Sequence, residues 1–156
     1  KHSLIPGAGG TQNLPRLIEA YAALPTSLRN AHQLLFAGKM PEGNIAHLKD
    51  IARSFGLKSD ELLFTGFVSD EELIQLYNLC QLYVFPSWHE GFGLPALEAM
   101  ACGLPVVATE QDFTVGFGAD PQLRCYRELV DKEALAAELH RSTARWGSAT
   151  DRRSWS

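Results

Sequence analysis

Two glutamates eight residues apart, Glu90 and Glu98, lie in the run Trp88-His89-Glu90-Gly91-Phe92-Gly93-Leu94-Pro95-Ala96-Leu97-Glu98. An ionised carboxylate is acceptor-only, so two of them flanking one ligand suit a polyhydroxylated molecule such as a sugar or a ribose. Between them, Gly91 and Gly93 flank Phe92 just before a helical pattern. Without a Cβ, such glycines let backbone N–H groups approach an anion closely, and the helix N-terminus adds a partial charge of about +0.5. A diphosphate fits that arrangement. Taken singly, each part has an ordinary reading. A lone Glu on a helix is more often a solvated face residue, and one G-x-G is a common turn. It is the combination that points to a ligand. His89, beside Glu90, is either a hydrogen-bonding partner for that ligand or a solvated loop residue, and no Ser/His/Asp or Cys/His nucleophile set can be assembled.

Such residues need a scaffold, and the hydrophobic pattern predicts one. Leu14, Leu17, Ile18, Tyr21 and Ala22 recur at helical spacing between Asn13 and Leu24, with Asn13 as N-cap and Pro15 in the first turn. Leu34 to Ala37 is a short apolar run stopped by Gly38, the pattern of a strand buried on both faces. Ile45, Leu48, Ile51, Ala52 and Phe55 mark a second helix closed by Gly56, and Leu62 to Val68 follows as a strand. Ser69-Asp70-Glu71-Glu72 matches a capping box, opening a helix that buries Leu73, Leu76, Tyr77 and Cys80. Leu82 to Phe85 is a further strand broken by Pro86, and a helix then runs from about Gly93 to Cys102, ending at Gly103. Val106 to Ala108 is one more strand. The rhythm fades beyond Thr109 until Asp131, which can cap a helix from Lys132 to about Thr143 with Leu135 and Leu139 inward; residues 144–156 read as a frayed tail.

Short apolar strands alternating with helices predict an α/β fold, a Rossmann-like parallel sheet with helices on both faces. In such a sheet ligands sit beyond the carboxyl ends of the strands, where the loop from Pro86 to Leu94 falls.

Bulk properties narrow the class. A chain of 156 residues is about one domain, 46% hydrophobic and 21% charged. A net charge of −4 with scattered basic residues argues against a nucleic-acid surface, which needs a concentrated basic stripe. Cys80, Cys102 and Cys125 match neither a metal-ligand spacing nor a disulfide framework, which favours a reducing, cytoplasmic compartment. The apolar stretches fall far short of the ~20 residues that span a bilayer, so a soluble chain is expected. It does not open on Met, and a partner domain upstream is expected.

The runs Phe64-Thr65-Gly66-Phe67-Val68-Ser69-Asp70-Glu71-Glu72-Leu73, Leu82-Tyr83-Val84-Phe85-Pro86-Ser87 and Glu90 through Ala108 closely resemble the C-terminal domain of group-one (family four) retaining glycosyltransferases. Asn13 to Tyr21 and Ala37-Gly38-Lys39 look most like the branch of mannosyltransferases that build lipopolysaccharide O-antigen and related polysaccharides. The likeness covers residues 7–108, with 109–130 divergent and a return over 131–140. It implies a GT-B fold of two Rossmann-like domains, the upstream one holding a glycan or lipid-linked acceptor and this one holding a nucleotide-diphosphate sugar such as GDP-mannose or a UDP-hexose. It further implies that Glu90 contacts the donor sugar's hydroxyls as the catalytic-site carboxylate. The N–H groups of Phe92, Gly93 and Leu94, in the loop opened by Gly91, would hold sugar and pyrophosphate. Glu98 would take the ribose hydroxyls, and Gly38, Lys39 and Val68 would line the base. Transfer would retain anomeric configuration without a metal, the departing diphosphate being stabilised by helix N-termini and side-chain cations. Any membrane association would be peripheral, through the upstream domain.

Two stretches depart from the family pattern. Where the family carries a Lys before the first helix, this chain reads Gly7-Ala8-Gly9-Gly10-Thr11-Gln12-Asn13, with Gln12 in the Lys place. The turn at Gly10 either faces the phosphates or is an ordinary loop, and Lys39 or Arg16 would have to supply the cation. After Ala108 the family's closing segment is replaced by Glu110-Gln111-Asp112-Phe113-Thr114-Val115-Gly116-Phe117-Gly118. Two rivals therefore stand beside the transferase: a nucleotide-sugar-binding module without turnover, and another GT-B enzyme such as a starch or glycogen synthase. The fused Glu-Gly-Phe-Gly-Leu-Pro-Ala-Leu-Glu run speaks against a third, a nucleotide-sugar epimerase.

Overall fold

The computed structural model describes residues 2–6, 13–86, 94–109 and 123–126, together with Ala137 and His140. Strands and helices follow one another as β1 (His2–Pro6), α1 (Leu14–Ala22), α2 (Thr26–Ala31), β2 (Gln33–Ala37), α3 (Glu42–Ser54), β3 (Leu62–Phe64), α4 (Asp70–Leu79), β4 (Leu82–Phe85), α5 (Leu94–Ala101), β5 (Val106–Thr109) and β6 (Leu123–Tyr126). The strands form one sheet in the order β3-β2-β1-β4-β5-β6, every neighbouring pair parallel.

The unbroken apolar runs are explained by this burial. Strand side chains alternate between the two faces of a sheet, so a strand covered on both sides is apolar at every position. On one face Leu34, Phe36, Leu82, Val84 and Val107 pack with Leu17, Ile18 and Tyr21 of α1 and Leu48 and Ala52 of α3. On the other, Leu35, Ala37, Tyr83, Phe85 and Val106 pack with Tyr77 of α4 and Ala96 and Ala99 of α5. Burying each Leu or Phe contributes roughly 1.5–3 kcal/mol, so the two layers hold the sheet between four helices.

The amino-terminal end of the sheet is closed by polar groups instead. The Tyr21 hydroxyl donates to the His32 carbonyl at 2.8 Å, and the His32 ring nitrogens lie 2.9 Å from the Leu28 carbonyl and 2.8 Å from Gln81 Oε1. Arg29 pairs with Glu61 at 3.0 Å, and the second Glu61 oxygen accepts the Lys58 N–H at 2.7 Å. This network is what seats α2, which buries no residue of its own.

Helix ends follow local chemistry. Both bonds of the expected capping box form at α4: Ser69 Oγ accepts the Glu72 N–H at 3.3 Å and Glu72 Oε2 accepts the Ser69 N–H at 2.8 Å. Past α3, Gly56 stands at φ +74°, with the bonds Gly56 N–H to Arg53 O and Leu57 N–H to Ala52 O. Past α5, Gly103 repeats the motif at φ +72°, with Gly103 N–H to Met100 O and Leu104 N–H to Ala99 O. Both are Schellman closures.

Several expectations need correcting. The third strand is shorter than 62–68, because the chain turns at Gly66, φ +70°, right after Thr65. Asn13 occupies the N-cap position of α1, but its side chain makes no capping bond. β1, α2 and β6 were not anticipated. Of the helix expected over 132–143, only Ala137 and His140 are described, and both are helical; Leu135 and Leu139 lie outside the described residues. No helix among the described residues is long and apolar enough to cross a membrane.

Two glycines test how backbone conformation, rather than space, sets the effect of a side chain. A Cβ at Gly43 or at Gly56 would meet nothing within 4 Å, but only Gly56 has positive φ. Gly43→Ala, in the first turn of α3, should raise stability by about 0.5–1 kcal/mol, and Gly56→Ala should lower it by about 1–2 kcal/mol, as read from urea unfolding midpoints at constant m.

Candidate functional site

In chain order the strands run outward from β1 to β3, then the chain crosses back and β4 pairs with β1 on its other side. α1, which follows β1, and α5, which follows β4, pack on opposite faces of the sheet, and at such a reversal of strand order open α/β sheets bind their ligands. The connections from β1 to α1 and from β4 to α5 are the segments 7–12 and 87–93, the glycine-bearing stretches singled out from the sequence. Gly10, Gln12, Glu90, Gly91, Phe92 and Gly93 themselves lie outside the described residues. Their anchoring ends do not. The Asn13 N–H donates to the Pro86 carbonyl at 2.7 Å, joining the last residue of the first connection to the first residue of the second.

Each connection leads into a helix N-terminus, α1 and α5. The first turn of a helix leaves N–H groups unpaired and carries partial positive charge, which proteins commonly offset with acidic side chains. α3 does so with Glu42, and α4 with Asp70, Glu71 and Glu72. The first turns of α1 and α5 carry no acidic residue. No acidic residue within those first turns offsets their positive ends, as is also the case for α2, and a helix end of this kind favours an anion.

Leu94, the first residue of α5, is exposed. Glu98 is the fifth residue of the same helix and is also exposed. Its Oε2 lies 3.5 Å from the hydroxyl of Tyr77, whose oxygen is also 3.3 Å from the Pro95 carbonyl. Burial, and next the nearby negative charge of Glu98, push the Tyr77 hydroxyl's pKa well above its usual value near 10. It therefore remains a proton donor across the physiological range.

The ends of β2 and β3 form the other wall. The Gly38 N–H donates to the Gly66 carbonyl at 3.1 Å and to Thr65 Oγ1 at 3.2 Å, an antiparallel bridge between two chains that ran parallel until there. Gly38 has φ +110° and Gly66 φ +70°, so neither place suits a side chain. Lys39 follows, exposed. Val68 is half-buried against the layer beneath α4 and α5, and Phe67 beside it is 79% exposed. From the end of β4 to the end of β3 is three strand steps, or about 14 Å at ~4.8 Å each, enough to lay an extended nucleotide along the carboxyl edge.

The structure thus places Leu94, Glu98, Gly38, Lys39 and Val68 along one edge of the sheet. Arg16, the other candidate cation, is engaged by Glu19 at 2.5 Å on α1. Two neighbours of the site escaped the sequence reading: Thr65, which locks the turn at the end of β3, and Tyr77, read only as a core residue. A cavity of about 470 Å³ lies elsewhere, on the flank between α3 and β3, where Lys49, Arg53 and Lys58 surround Leu57, Leu62 and Phe64. It is not part of the carboxyl edge.

Comparison with known proteins agrees with this geometry. Residues 8–117 match the family model of the glycosyl transferases group 1. The chain is 49% identical over 92 residues to the serotype-specific mannosyltransferase WbdA of Escherichia coli, covering 59% of this chain and 11% of that protein. It is 33% identical over 137 residues to the O-antigen chain mannosyltransferase B of Escherichia coli, covering 84% of this chain and 33% of the relative. The crystal structure of WaaG, a glycosyltransferase involved in lipopolysaccharide biosynthesis, superposes with a TM-score of 0.76 at 24% identity, covering 99% of this chain and 42% of WaaG. The chain spans a third or less of the two relatives, and its fold is that of a GT-B domain. With most of its length matched, parallel order and loop anchors included, the chain belongs to the group 1 glycosyl transferases.

Proposed function

We propose that this chain is the donor-binding domain of a retaining glycosyltransferase that moves a hexose, mannose from GDP-mannose being the first choice, onto a glycan or lipid-linked acceptor held by a second domain. What carries it is one contact. The 2.7 Å bond from the Asn13 N–H to the Pro86 carbonyl ties the start of α1 to the end of β4, where one glycine-bearing connection ends and the other begins. Two relatives bear the name mannosyltransferase, and one of them acts on an O-antigen chain, which is why mannose and a polysaccharide acceptor come first.

Each residue has a part in this scheme. Glu90 accepts from the donor sugar's hydroxyls. The N–H groups of Phe92, Gly93 and Leu94, with Gly91 easing the approach, hold sugar and pyrophosphate. Glu98 accepts from the ribose hydroxyls, and the Gly38, Lys39 and Val68 edge receives the base. As the sugar–phosphate bond breaks, negative charge grows on the departing diphosphate. The helix N-termini already point at that charge and need not reorganise, which is the source of most electrostatic catalysis.

A second reading has a specific observation behind it. Gln12 stands where the family places a phosphate-facing Lys, so the domain could bind nucleotide sugar without turning it over. The glycine turn around Gly10 then holds the diphosphate by backbone alone. A charge-assisted bond contributes about 1.5–3 kcal/mol, and its loss weighs more on the departing group than on the bound substrate.

Calorimetric titration with GDP-mannose, GDP, UDP-glucose and UDP checks the donor site. Glu98→Ala should weaken nucleotide binding about 10- to 100-fold, the value of one carboxylate's bonds to hydroxyls; unchanged binding removes the donor-site proposal. Gln12→Lys should strengthen diphosphate binding about tenfold and steepen its salt dependence. Equal affinity in the variant would mean that the segment 7–12 does not face the phosphates.

A further inference from the structure

The geometry points to Tyr77 as the residue that positions Glu98, holding its carboxylate at the carboxyl edge by a hydrogen bond from a buried hydroxyl. The inference rests on the donor-site proposal and deepens it by naming what sets the ribose contact.

Glu98 is an exposed residue on a helix, with three side-chain torsions and several rotamers open to it. A carboxylate of that kind loses conformational entropy whenever a ligand fixes it, and the loss weakens binding. A neighbour that narrows its choice beforehand reduces that loss. Tyr77 has the features such a neighbour needs. It is the one fully buried residue of α4, 2% exposed. Its ring stands edge-on to Tyr83 at 5.8 Å and 75°, and Tyr83 in turn stacks on Phe85 at 6.1 Å in the strand that leads to Pro86. The register of α4 is set from its own capping box at Ser69, independently of α5. The hydroxyl is therefore a fixed point, and it emerges 3.5 Å from Glu98 Oε2 and 3.3 Å from the Pro95 carbonyl.

Burying a phenol requires a partner for its O–H. Here both acceptors belong to α5, four residues or fewer from its start. One proton serves two acceptors, so the bond holds the carboxylate and the first turn of α5 together. Oε1 and the remaining lone pair of Oε2 stay open to a ligand, enough to accept from both hydroxyls of a vicinal diol. The hydroxyl's raised pKa keeps the donor in place at every working pH. A purely structural role, satisfying the phenol through Pro95 alone, would leave Glu98 unaffected by the loss of the hydroxyl.

The two roles separate in one experiment. GDP and UDP, and their 2′,3′-dideoxy counterparts, are titrated calorimetrically into the protein, Tyr77→Phe, Glu98→Ala and the double variant. The phenyl ring keeps the packing against Tyr83, and thermal unfolding verifies that each variant is folded. Tyr77→Phe should weaken the ribonucleotides about 3- to 10-fold, leave the dideoxynucleotides unchanged, and add nothing in the Glu98→Ala background. Equal loss for both ligand types, no loss at all, or an effect that persists without Glu98 would overturn the assignment. If Glu98→Ala itself leaves ribonucleotide affinity intact, the donor site falls and the positioning role with it; if Glu98→Ala weakens binding and Tyr77→Phe does not, only the positioning role falls.

Discussion

The reversal of strand order between β1 and β4 is the constraint on which everything at the carboxyl edge depends. Once the chain has run outward from β1 to β3 and returned to lay β4 against β1, the two connections at the reversal must part to opposite faces of the sheet. Parting alone would leave a loose gap. The Asn13 N–H to Pro86 carbonyl bond closes the base of the gap and ties the start of α1 to the exit of β4. Without that tie the two helix N-termini would lie near one another with no fixed relation. The first turns of α1 and α5 carry no acidic residue.

The two ends of the sheet are finished by different chemistry. At the amino end the side chains of Tyr21, Arg29, His32, Glu61 and Gln81 are joined by hydrogen bonds. At the carboxyl end the finish is made with glycines. Gly38 and Gly66, both at positive φ, form the bridge there, and the Thr65 hydroxyl also accepts the Gly38 N–H.

Much of this was legible in residue types. Continuous apolar runs gave away β2, β4 and β5, because strands buried on both faces have no polar positions. Ser69 with Glu72, and Gly56 and Gly103, marked helix ends through bonds that only those residues make so readily. β1 was not legible: His2-Ser3-Leu4-Ile5-Pro6 offers two adjacent apolar residues and no alternation, and its identity as the strand at the reversal comes from pairing with β2 and β4. α2 was missed because Leu28 is its one hydrophobic side chain packed against the core, which leaves no periodicity to detect. Asn13 was read correctly as a position and wrongly as a chemistry. Its residue type suggested a side-chain cap, whereas its backbone N–H makes the contact that matters, and backbone donors are the same for nearly every residue.

The site divides along the same line. The spacing of Glu90 and Glu98 is a property of the chain and can be read from it. What holds Glu98 is a property of packing, since Tyr77 lies twenty-one residues away on another helix and at a position where apolar spacing alone predicts core. A tyrosine differs from a phenylalanine there by one oxygen, which hydrophobic periodicity does not register. Burial gives that oxygen its significance, because a hydroxyl removed from water must find a partner, and those within reach are the Pro95 carbonyl and the Glu98 carboxylate. The need to satisfy one buried phenol and the need to orient one exposed carboxylate are met by the same bond. The fold's internal hydrogen bonding and the geometry of its outer edge are thus coupled through α4 and α5, and do not vary independently.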